Sequence, residues 1–216
     1  MNRQASRMAL AGLVALVMPA ALAAQAAPAP APPAAAAPRP ATQRVLIETA
    51  LGPITIEVET ERAPVTSANF LRYVDQRRLA GATFYRAAAA PGSPDYGLVQ
   101  FGLQNAPKAS LPPIPHEPTS KTGLSHLDGT ISMARGAPGT AAGEFFIIVG
   151  DMPSLDADPA AAGDNLGFAA FGRVVEGMAV VRQILAAPVS PTRGEGAMKG
   201  QMLADPVAVT AARRLP

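Results

Sequence analysis

Few side chains in this sequence are of a type that could support covalent or metal chemistry. The chain has no cysteine, so thiol nucleophiles, thiolate ligands and disulfides are excluded. Two histidines ten residues apart, His116 and His126, do not match a metal site, and we interpret both as structural or solvent-exposed. The glycine-rich stretch from Gly136 to Gly143 lacks the Lys-Ser/Thr ending of a phosphate-binding loop. These residues favour neither a metal site nor a nucleotide site.

The charge of the chain also gives no sign of a nucleic-acid partner. The formal net charge of +2 depends on Arg3 and Arg7, and without these two residues the basic and acidic side chains are equal in number. No basic stripe is visible along the rest of the chain.

The N-terminus has the pattern of a secretory signal peptide. Arg3 and Arg7 precede an almost wholly apolar run from Met8 to Ala23, which ends in the small-residue sites Ala21-Leu22-Ala23 and Ala24-Gln25-Ala26. The run is shorter than the ~20 apolar residues of a membrane-spanning helix. We therefore expect residues 1–23 to be a cleaved signal and the mature protein to be periplasmic or secreted.

A low-complexity segment follows the expected signal. Residues 26–40 contain only Ala, Pro and Arg39, and closely spaced prolines favour extended, semi-rigid structure. We assign residues 24–43 to a linker and residues 44–216 to one folded domain, which is long enough to bury one core. The linker could hold the domain away from an envelope surface or act only as a spacer.

The domain alternates short strand patterns with two helical patterns. Alternating apolar and polar residues predict a hairpin from Arg44–Thr49 and Ile54–Thr60, and apolar runs predict the later strands. The later strands are expected at Thr83–Arg86, Leu98–Gly102, Thr130–Ala134, Phe145–Val149, Phe168–Val175 and Pro206–Ala211, with helices at Pro64–Asp75 and Gly177–Leu185 and loops at Pro91–Gly97, Pro107–Gly123 and Asp151–Gly167. Many short strands with two helices indicate a mainly β fold, a closed barrel with helices at its ends.

Several motifs in order resemble the cyclophilin family of peptidyl-prolyl cis-trans isomerases. These are Ala63-Pro64-Val65-Thr66-Ser67-Ala68-Asn69-Phe70, Phe84-Tyr85-Arg86, Gly129-Thr130-Ile131-Ser132-Met133-Ala134-Arg135, Glu144-Phe145-Phe146-Ile147 and Phe171-Gly172-Arg173-Val174-Val175-Glu176-Gly177-Met178. The resemblance implies a closed eight-stranded antiparallel β-barrel with two helices capping the ends. It also implies a side-chain-filled interior, a substrate groove on the outside, no cofactor, no metal and no covalent intermediate.

The resemblance implies that Arg86 is the catalytic arginine. Rotation about the bond before proline has a barrier of ~18–20 kcal/mol because of amide resonance. A fixed donor aimed at the proline nitrogen stabilises the twisted amide more than the planar one. A guanidinium supplies several donors in a rigid fork. Gln100 matches the family glutamine that touches the substrate backbone and steadies the arginine. The alternatives are a surface arginine paired with a carboxylate and an ordinary polar strand residue.

The remaining site residues are also implied by the resemblance. Leu98, Phe146 and Leu155 match the apolar slot for the proline ring, whereas we assign Phe145 to the core. The backbone of Ala134 and Arg135 matches the segment that meets the peptide.

Four positions depart from the family pattern. Gly97 stands in place of a pocket phenylalanine, for which nearby Phe101 could compensate. Phe168 replaces a pocket histidine, and Ser154 replaces a tryptophan. Glu144 replaces glutamine in the expected substrate groove. Its carboxylate could pull Arg86 from its working position or hold Arg86 in place, and we expect the second.

Two function classes follow from this pattern. The first is an isomerase that acts, as a monomer, on X-Pro bonds of unfolded or flexible exported proteins. The second is a cyclophilin-shaped peptide-binding or holdase module with little turnover, which the departures favour and Arg86 opposes. An unrelated ligand-carrying barrel is the weakest alternative, because filled barrels carry no ligand inside.

Overall fold

The computed structural model describes residues 39–104 and 107–216. The predicted signal peptide and most of the predicted linker therefore lie outside the described residues. The strands are β1 Gln43–Thr49, β2 Gly52–Val58, β3 Thr83–Ala90, β4 Ser93–Gly102, β5 Thr130–Met133, β6 Glu144–Val149, β7 Ala169–Glu176 and β8 Met202–Arg214. The α-helices are α1 Pro64–Asp75, α2 Thr119–Thr122 and α3 Met178–Leu185.

The eight strands form one closed barrel, as the sequence predicts. Its strand order is β1-β2-β7-β5-β6-β4-β3-β8, with β8 returning to β1. Every pairing between neighbouring strands is antiparallel. Closure leaves no free sheet edge, so the backbone hydrogen bonds of the barrel wall are satisfied within the wall.

The interior of the barrel is filled by side chains. Alternation in the first hairpin places Val45, Ile47, Ile54, Ile56 and Val58 inside, and all five are fully buried. The aromatic rings of the other strands pack against one another in the same core: Phe84, Phe101, Phe145 and Phe171. A filled interior excludes the alternative of a barrel that carries a ligand inside.

Helix α1 packs its apolar face into the core and is capped from a distant loop. The Phe70 ring lies 5.1 Å from the Phe145 ring in an edge-on arrangement. Pro64 begins the helix, where its missing N–H costs nothing. The buried Glu117 carboxylate accepts hydrogen bonds from the Thr66 N–H at 2.7 Å and the Thr66 hydroxyl at 2.8 Å. These bonds hold the loop before β5 against the helix.

The structure differs from the predicted elements at several places, and β3 continues to Ala90, beyond the predicted end at Arg86. A third, short helix, α2, lies within the segment predicted as the loop Pro107–Gly123. Most of the predicted loop Pro91–Gly97 belongs to β4, because the chain reverses at Pro91 and Gly92, where Gly92 has φ of +75°. Strand β8 begins four residues before the predicted Pro206. In the described part of the chain, no helix combines the length and the apolar character needed to cross a bilayer.

Candidate active site

A β-bulge in β3 turns Arg86 to the outside of the barrel. Phe84 pairs with Phe101 on β4, but the next pair is Arg86 with Gln100, so Tyr85 is an extra residue in β3. In a regular strand without the bulge, period-two alternation would place Arg86 on the same face as the buried Phe84. The bulge instead brings the side chains of Tyr85 and Arg86 together beside Gln100.

The Arg86 guanidinium is held on two sides by glutamine oxygens. Its Nη1 donates to Gln100 Oε1 at 2.9 Å. Its Nε and Nη2 donate to Gln201 Oε1 at 2.9 and 2.6 Å. Among the described residues, these bonds use three of the five guanidinium N–H groups, so one N–H on each terminal nitrogen stays available to a ligand. Partial burial lowers the pKa of Arg86, which nevertheless stays charged at neutral pH.

A hydrogen-bond chain behind Gln100 fixes which of its amide atoms faces Arg86. Gln100 Nε2 donates to the Tyr85 hydroxyl at 2.5 Å, and this hydroxyl donates to Glu144 Oε2 at 2.8 Å. Glu144 Oε1 accepts the Leu103 N–H at 2.9 Å. Burial raises the pKa of the Glu144 carboxyl, against the two hydrogen bonds that it accepts. Because Tyr85 takes the amide nitrogen, the Gln100 oxygen must point to Arg86.

An apolar slot lies beside the guanidinium. The cavity has a volume of about 510 Å³. Its residues include nine of the expected ones: Arg86, Leu98, Gln100, Ala134, Arg135, Glu144, Phe146, Leu155 and Phe168. The Phe146 and Phe168 rings meet edge to face, with centroids 5.4 Å apart. A slot of aromatic and aliphatic side chains with one charged donor at its edge suits a proline ring attached to a polar peptide.

Phe101 does not line this cavity, in contrast to the sequence expectation. It is fully buried in the barrel, with its ring 4.6 Å from that of Phe84. The reason is the alternation of β4, which points Leu98 and Gln100 outward and Phe101 inward. Gly97 also admits no replacement side chain, since a Cβ there would overlap the Ala88 carbonyl oxygen. Gly97 is itself not among the residues that line the cavity.

The side chain of Arg135 supports the wall of the slot. It forms an ion pair with Asp164, with Nη1 2.6 Å from Oδ2, and its Nε donates to the Gly167 carbonyl at 3.0 Å. The guanidinium lies 5.1 Å from the centroid of the Phe168 ring. Arg135 thus holds Phe168 and the segment before β7 in place, and it is one of the residues that line the cavity.

His126 supports the slot from behind. It is fully buried, and its ring is parallel to that of Phe146 with centroids 6.0 Å apart. Its Nδ1 lies 2.5 Å from Asp156 Oδ1, and its Nε2 lies 2.9 Å from the Ser132 hydroxyl. Burial lowers the pKa of the imidazole, although Asp156 opposes the shift. Ser132 is also fully buried, and His126, Asp156 and Ser132 together support the wall of the slot.

Sequence reasoning missed two members of the polar network and misplaced a third. Tyr85 stood next to Arg86 in the motif, but only the bulge shows that its hydroxyl faces Gln100. Gln201 lies 115 residues from Arg86, and nothing in the sequence relates the two positions. Glu144 was expected to hold Arg86 directly, but the structure gives it Tyr85 and Leu103 as partners, because Gln100 and Gln201 already occupy both sides of the guanidinium.

Residues 39–104 and 107–216 contain no group of three His, Cys, Asp or Glu side chains that could hold a metal ion. His116 is separate from the slot, and its Nε2 lies 3.0 Å from the Leu166 carbonyl oxygen.

Comparison with known proteins agrees with this geometry. A family model described as "Cyclophilin type peptidyl-prolyl cis-trans isomerase/CLD" matches residues 44–205. A peptidyl-prolyl cis-trans isomerase of Acinetobacter baylyi is 33% identical over 151 residues, which cover 69% of this chain and 76% of the relative. Peptidyl-prolyl cis-trans isomerase A of Dickeya dadantii is 37% identical over 144 residues, or 65% of this chain and 70% of the relative.

Solved structures share the fold at lower identity. A Cryptosporidium parvum cyclophilin-type isomerase, determined in the presence of the dipeptide Ala-Pro, superposes with a TM-score of 0.64 at 19% identity. The match covers 81% of this chain and 99% of that one. At this level of identity the likeness concerns the barrel alone.

Proposed function

The chain belongs to the cyclophilin-type peptidyl-prolyl cis-trans isomerase family, and we propose that Arg86 carries its catalysis without any covalent step. The single observation that supports this role is the two-sided hold on the guanidinium, which leaves one N–H on each terminal nitrogen for the substrate. Preorganised donors of this kind cost no reorientation when the amide twists.

The proposed cycle begins with the proline ring of a peptide in the slot between Phe146, Leu98 and Leu155. One Arg86 N–H binds the proline carbonyl, and the other approaches the proline nitrogen. As the preceding amide twists, this nitrogen loses its resonance and gains a lone pair, which the guanidinium stabilises. Gln100 is well placed to meet the substrate backbone. No bond to a heavy atom forms or breaks.

The test is a protease-coupled isomerisation assay with a short Ala-Pro peptide and the variant Arg86→Ala. The variant should lose at least ~10²-fold in kcat/KM, the scale expected when a preorganised donor is lost. Arg173→Ala is the matched control, because Arg173 lies on the outer surface of β7 and pairs with Glu57. Unchanged turnover in a folded Arg86→Ala protein would remove Arg86 from the mechanism.

A second candidate is a peptide-binding or holdase module of the same shape. The observation that favours it is the apolar slot lined by Phe168, which would retain peptide without a polar contact from a histidine. The isomerase requires turnover on the Ala-Pro peptide, whereas the module requires only suppression of aggregation. Suppression that persists in Arg86→Ala together with slow turnover of the parent would favour the module.

We also propose that the protein acts in the periplasm or outside the cell, on X-Pro bonds of unfolded or flexible exported proteins. The support is the sequence of residues 1–23, with its basic start, apolar run and small-residue end. Mass spectrometry of the mature N-terminus tests this: a start near Ala24 is expected, and a protein that retains Asn2 would contradict export by cleavage.

A further inference from the structure

One acceptor of the Arg86 hydrogen bonds comes from the loop between α3 and β8, far from the motifs that carry the family resemblance. The last part of this connection, residues 190–201, is held to β8 by hydrogen bonds. Arg193 Nη2 donates to the Leu203 carbonyl at 2.6 Å, and the Ser190 N–H donates to the Met202 carbonyl at 2.8 Å. The loop therefore ends at a fixed position beside β3.

Gln201 is the last residue of this loop and is anchored by its backbone next to the bulge. Its carbonyl accepts the Ala87 N–H at 2.9 Å, and the following residue, Met202, pairs with Arg86. A backbone anchored at this point limits the places that the Gln201 side chain can reach. Among the described residues, Arg86 lines the cavity and Gln201 does not.

The Gln201 amide oxygen accepts two of the guanidinium hydrogens, from Nε at 2.9 Å and from Nη2 at 2.6 Å. Because arginine has no acceptor, only the oxygen of the amide can face it. Gln100 holds Nη1 from the other side. If one partner is lost, the guanidinium can rotate about the bonds of its long side chain. The two remaining N–H groups then no longer point in a fixed direction.

We propose that Gln201 is a positioning residue for the isomerisation, acting through Arg86 and without contact to the peptide. The inference rests on the proposed role of Arg86. It assigns to the loop 190–201 a part in turnover: it sets the direction of the donors that stabilise the twisted amide. Its loss should therefore lower kcat and leave KM nearly unchanged, since ground-state binding depends mainly on the apolar slot.

The principal experiment compares Gln201→Leu with the parent by NMR exchange spectroscopy on an Ala-Pro peptide, which separates kcat from KM. Gln201→Leu keeps the size of the side chain and removes the acceptor, and we expect kcat to fall about tenfold. Gln201→Glu keeps an acceptor at the same reach and should recover most of the lost kcat. Gln183→Leu, the same substitution on the exposed face of α3, is the matched control and should match the parent.

A second readout separates positioning from a structural role. The Arg86 Nε–H resonance should be sharp in the parent and in Gln201→Glu, and broadened by exchange with water in Gln201→Leu. In an Arg86→Lys background, adding Gln201→Leu should produce little further loss, because the residue acts through the guanidinium.

Three outcomes are decisive. A normal kcat in Gln201→Leu, with Arg86→Ala strongly impaired, would overturn this inference and leave the role of Arg86 standing. An unimpaired Arg86→Ala would instead overturn the proposed mechanism. A full tenfold loss from Gln201→Leu in the Arg86→Lys background would show that Gln201 acts on the fold rather than on Arg86.

Discussion

Phe145 and Phe146 are neighbours in β6 and belong to two different regions of the molecule. Phe145 points into the barrel, where its ring lies 5.1 to 6.1 Å from four other aromatic rings, those of Phe70, Tyr73, Phe101 and Phe171. Phe146 points outward into the slot, where it meets Phe168 and is supported by His126. Both side chains are buried, at 0% and 4% exposure, so burial alone does not distinguish them.

The contrast shows how differently the two regions are built. The interior consists of apolar side chains brought together by strand alternation, and its energy comes from area removed from water. The slot has an apolar wall next to a charged donor. Its rings Phe146 and Phe168 contact His126 and Arg135. These two residues are held in turn by Asp156 and Asp164. Substitutions in the interior should therefore affect stability first, and substitutions at the slot should affect turnover first.

The largest effect is expected from Phe145→Ala. Removing a fully buried ring from the aromatic core should lower the free energy of unfolding by ~3–5 kcal/mol, through lost transfer energy and the cavity left behind. Urea unfolding followed by circular dichroism measures this loss. A loss below ~1 kcal/mol would mean that the interior can collapse around the missing ring, which a closed barrel should resist.

Phe146→Ala tests the same contrast at the residue on the outer face of β6. Loss of the ring that we propose to contact the proline should lower kcat/KM roughly thirtyfold, since burial of a phenylalanine side chain is worth ~1.5–3 kcal/mol. The assay is the one used for Arg86→Ala, with Ile148→Ala as the control, because Ile148 also points outward from β6 and does not line the cavity among the described residues. Equal losses of activity in both variants would contradict a specific role for Phe146.

Glu144 tests whether the polar chain behind the slot matters. Glu144→Ala should lower kcat/KM about tenfold, or ~1.4 kcal/mol, because Tyr85 loses its acceptor and no longer fixes Gln100. Glu144→Gln should cost only a few-fold, since an amide oxygen still accepts one hydrogen bond. Gly102 leaves room for this carboxylate, because a Cβ there would overlap Oε2. A Glu144→Ala variant as active as the parent would show that Arg86 needs no support from the hydrogen bonds that join Glu144, Tyr85 and Gln100.

The smallest effect concerns pH. Burial lowers the pKa of His126 below its ordinary value of 6.5, so the unfolded chain takes up a proton at a higher pH than the folded protein. The unfolded state thus binds more protons as the pH falls through ~6.5, and stability is lost in that direction. Between pH 7.5 and pH 5.5, the free energy of unfolding should fall more for the parent than for His126→Gln. His116→Gln is the control and should behave like the parent. An equal loss in parent and His126→Gln would contradict a neutral buried imidazole.

Local patterns predicted most of the barrel because its strands obey a simple period. The hairpin of β1 and β2, both long helices and the inward position of Phe145 followed from alternation and helical spacing. The same rule, applied without the structure, could not reveal where the period breaks. The extra residue at Tyr85 changes the face of every residue after it in β3, and no residue type in Phe84-Tyr85-Arg86 marks a bulge.

The polar contacts of Arg86 show the same limit more strongly. The motifs identified Arg86 and Gln100 because these residues lie within short, recognisable strands. They did not identify Gln201, which reaches Arg86 only because β8 closes the barrel against β3. They also assigned Phe101 to the slot and Glu144 to Arg86, and the structure places both differently. Side-chain partners across strands depend on register, which a single strand's sequence does not contain.

The sequence by itself determined the family, the order of the strands and helices, the apolar interior and the arginine that lines the slot, because each of these depends on residues close together in the chain. The tertiary structure alone decided the direction of Arg86, the identity of its second acceptor and the burial of Phe101 away from the slot. These features arise where strands distant in sequence are brought into one register, and the closure of the barrel sets that register.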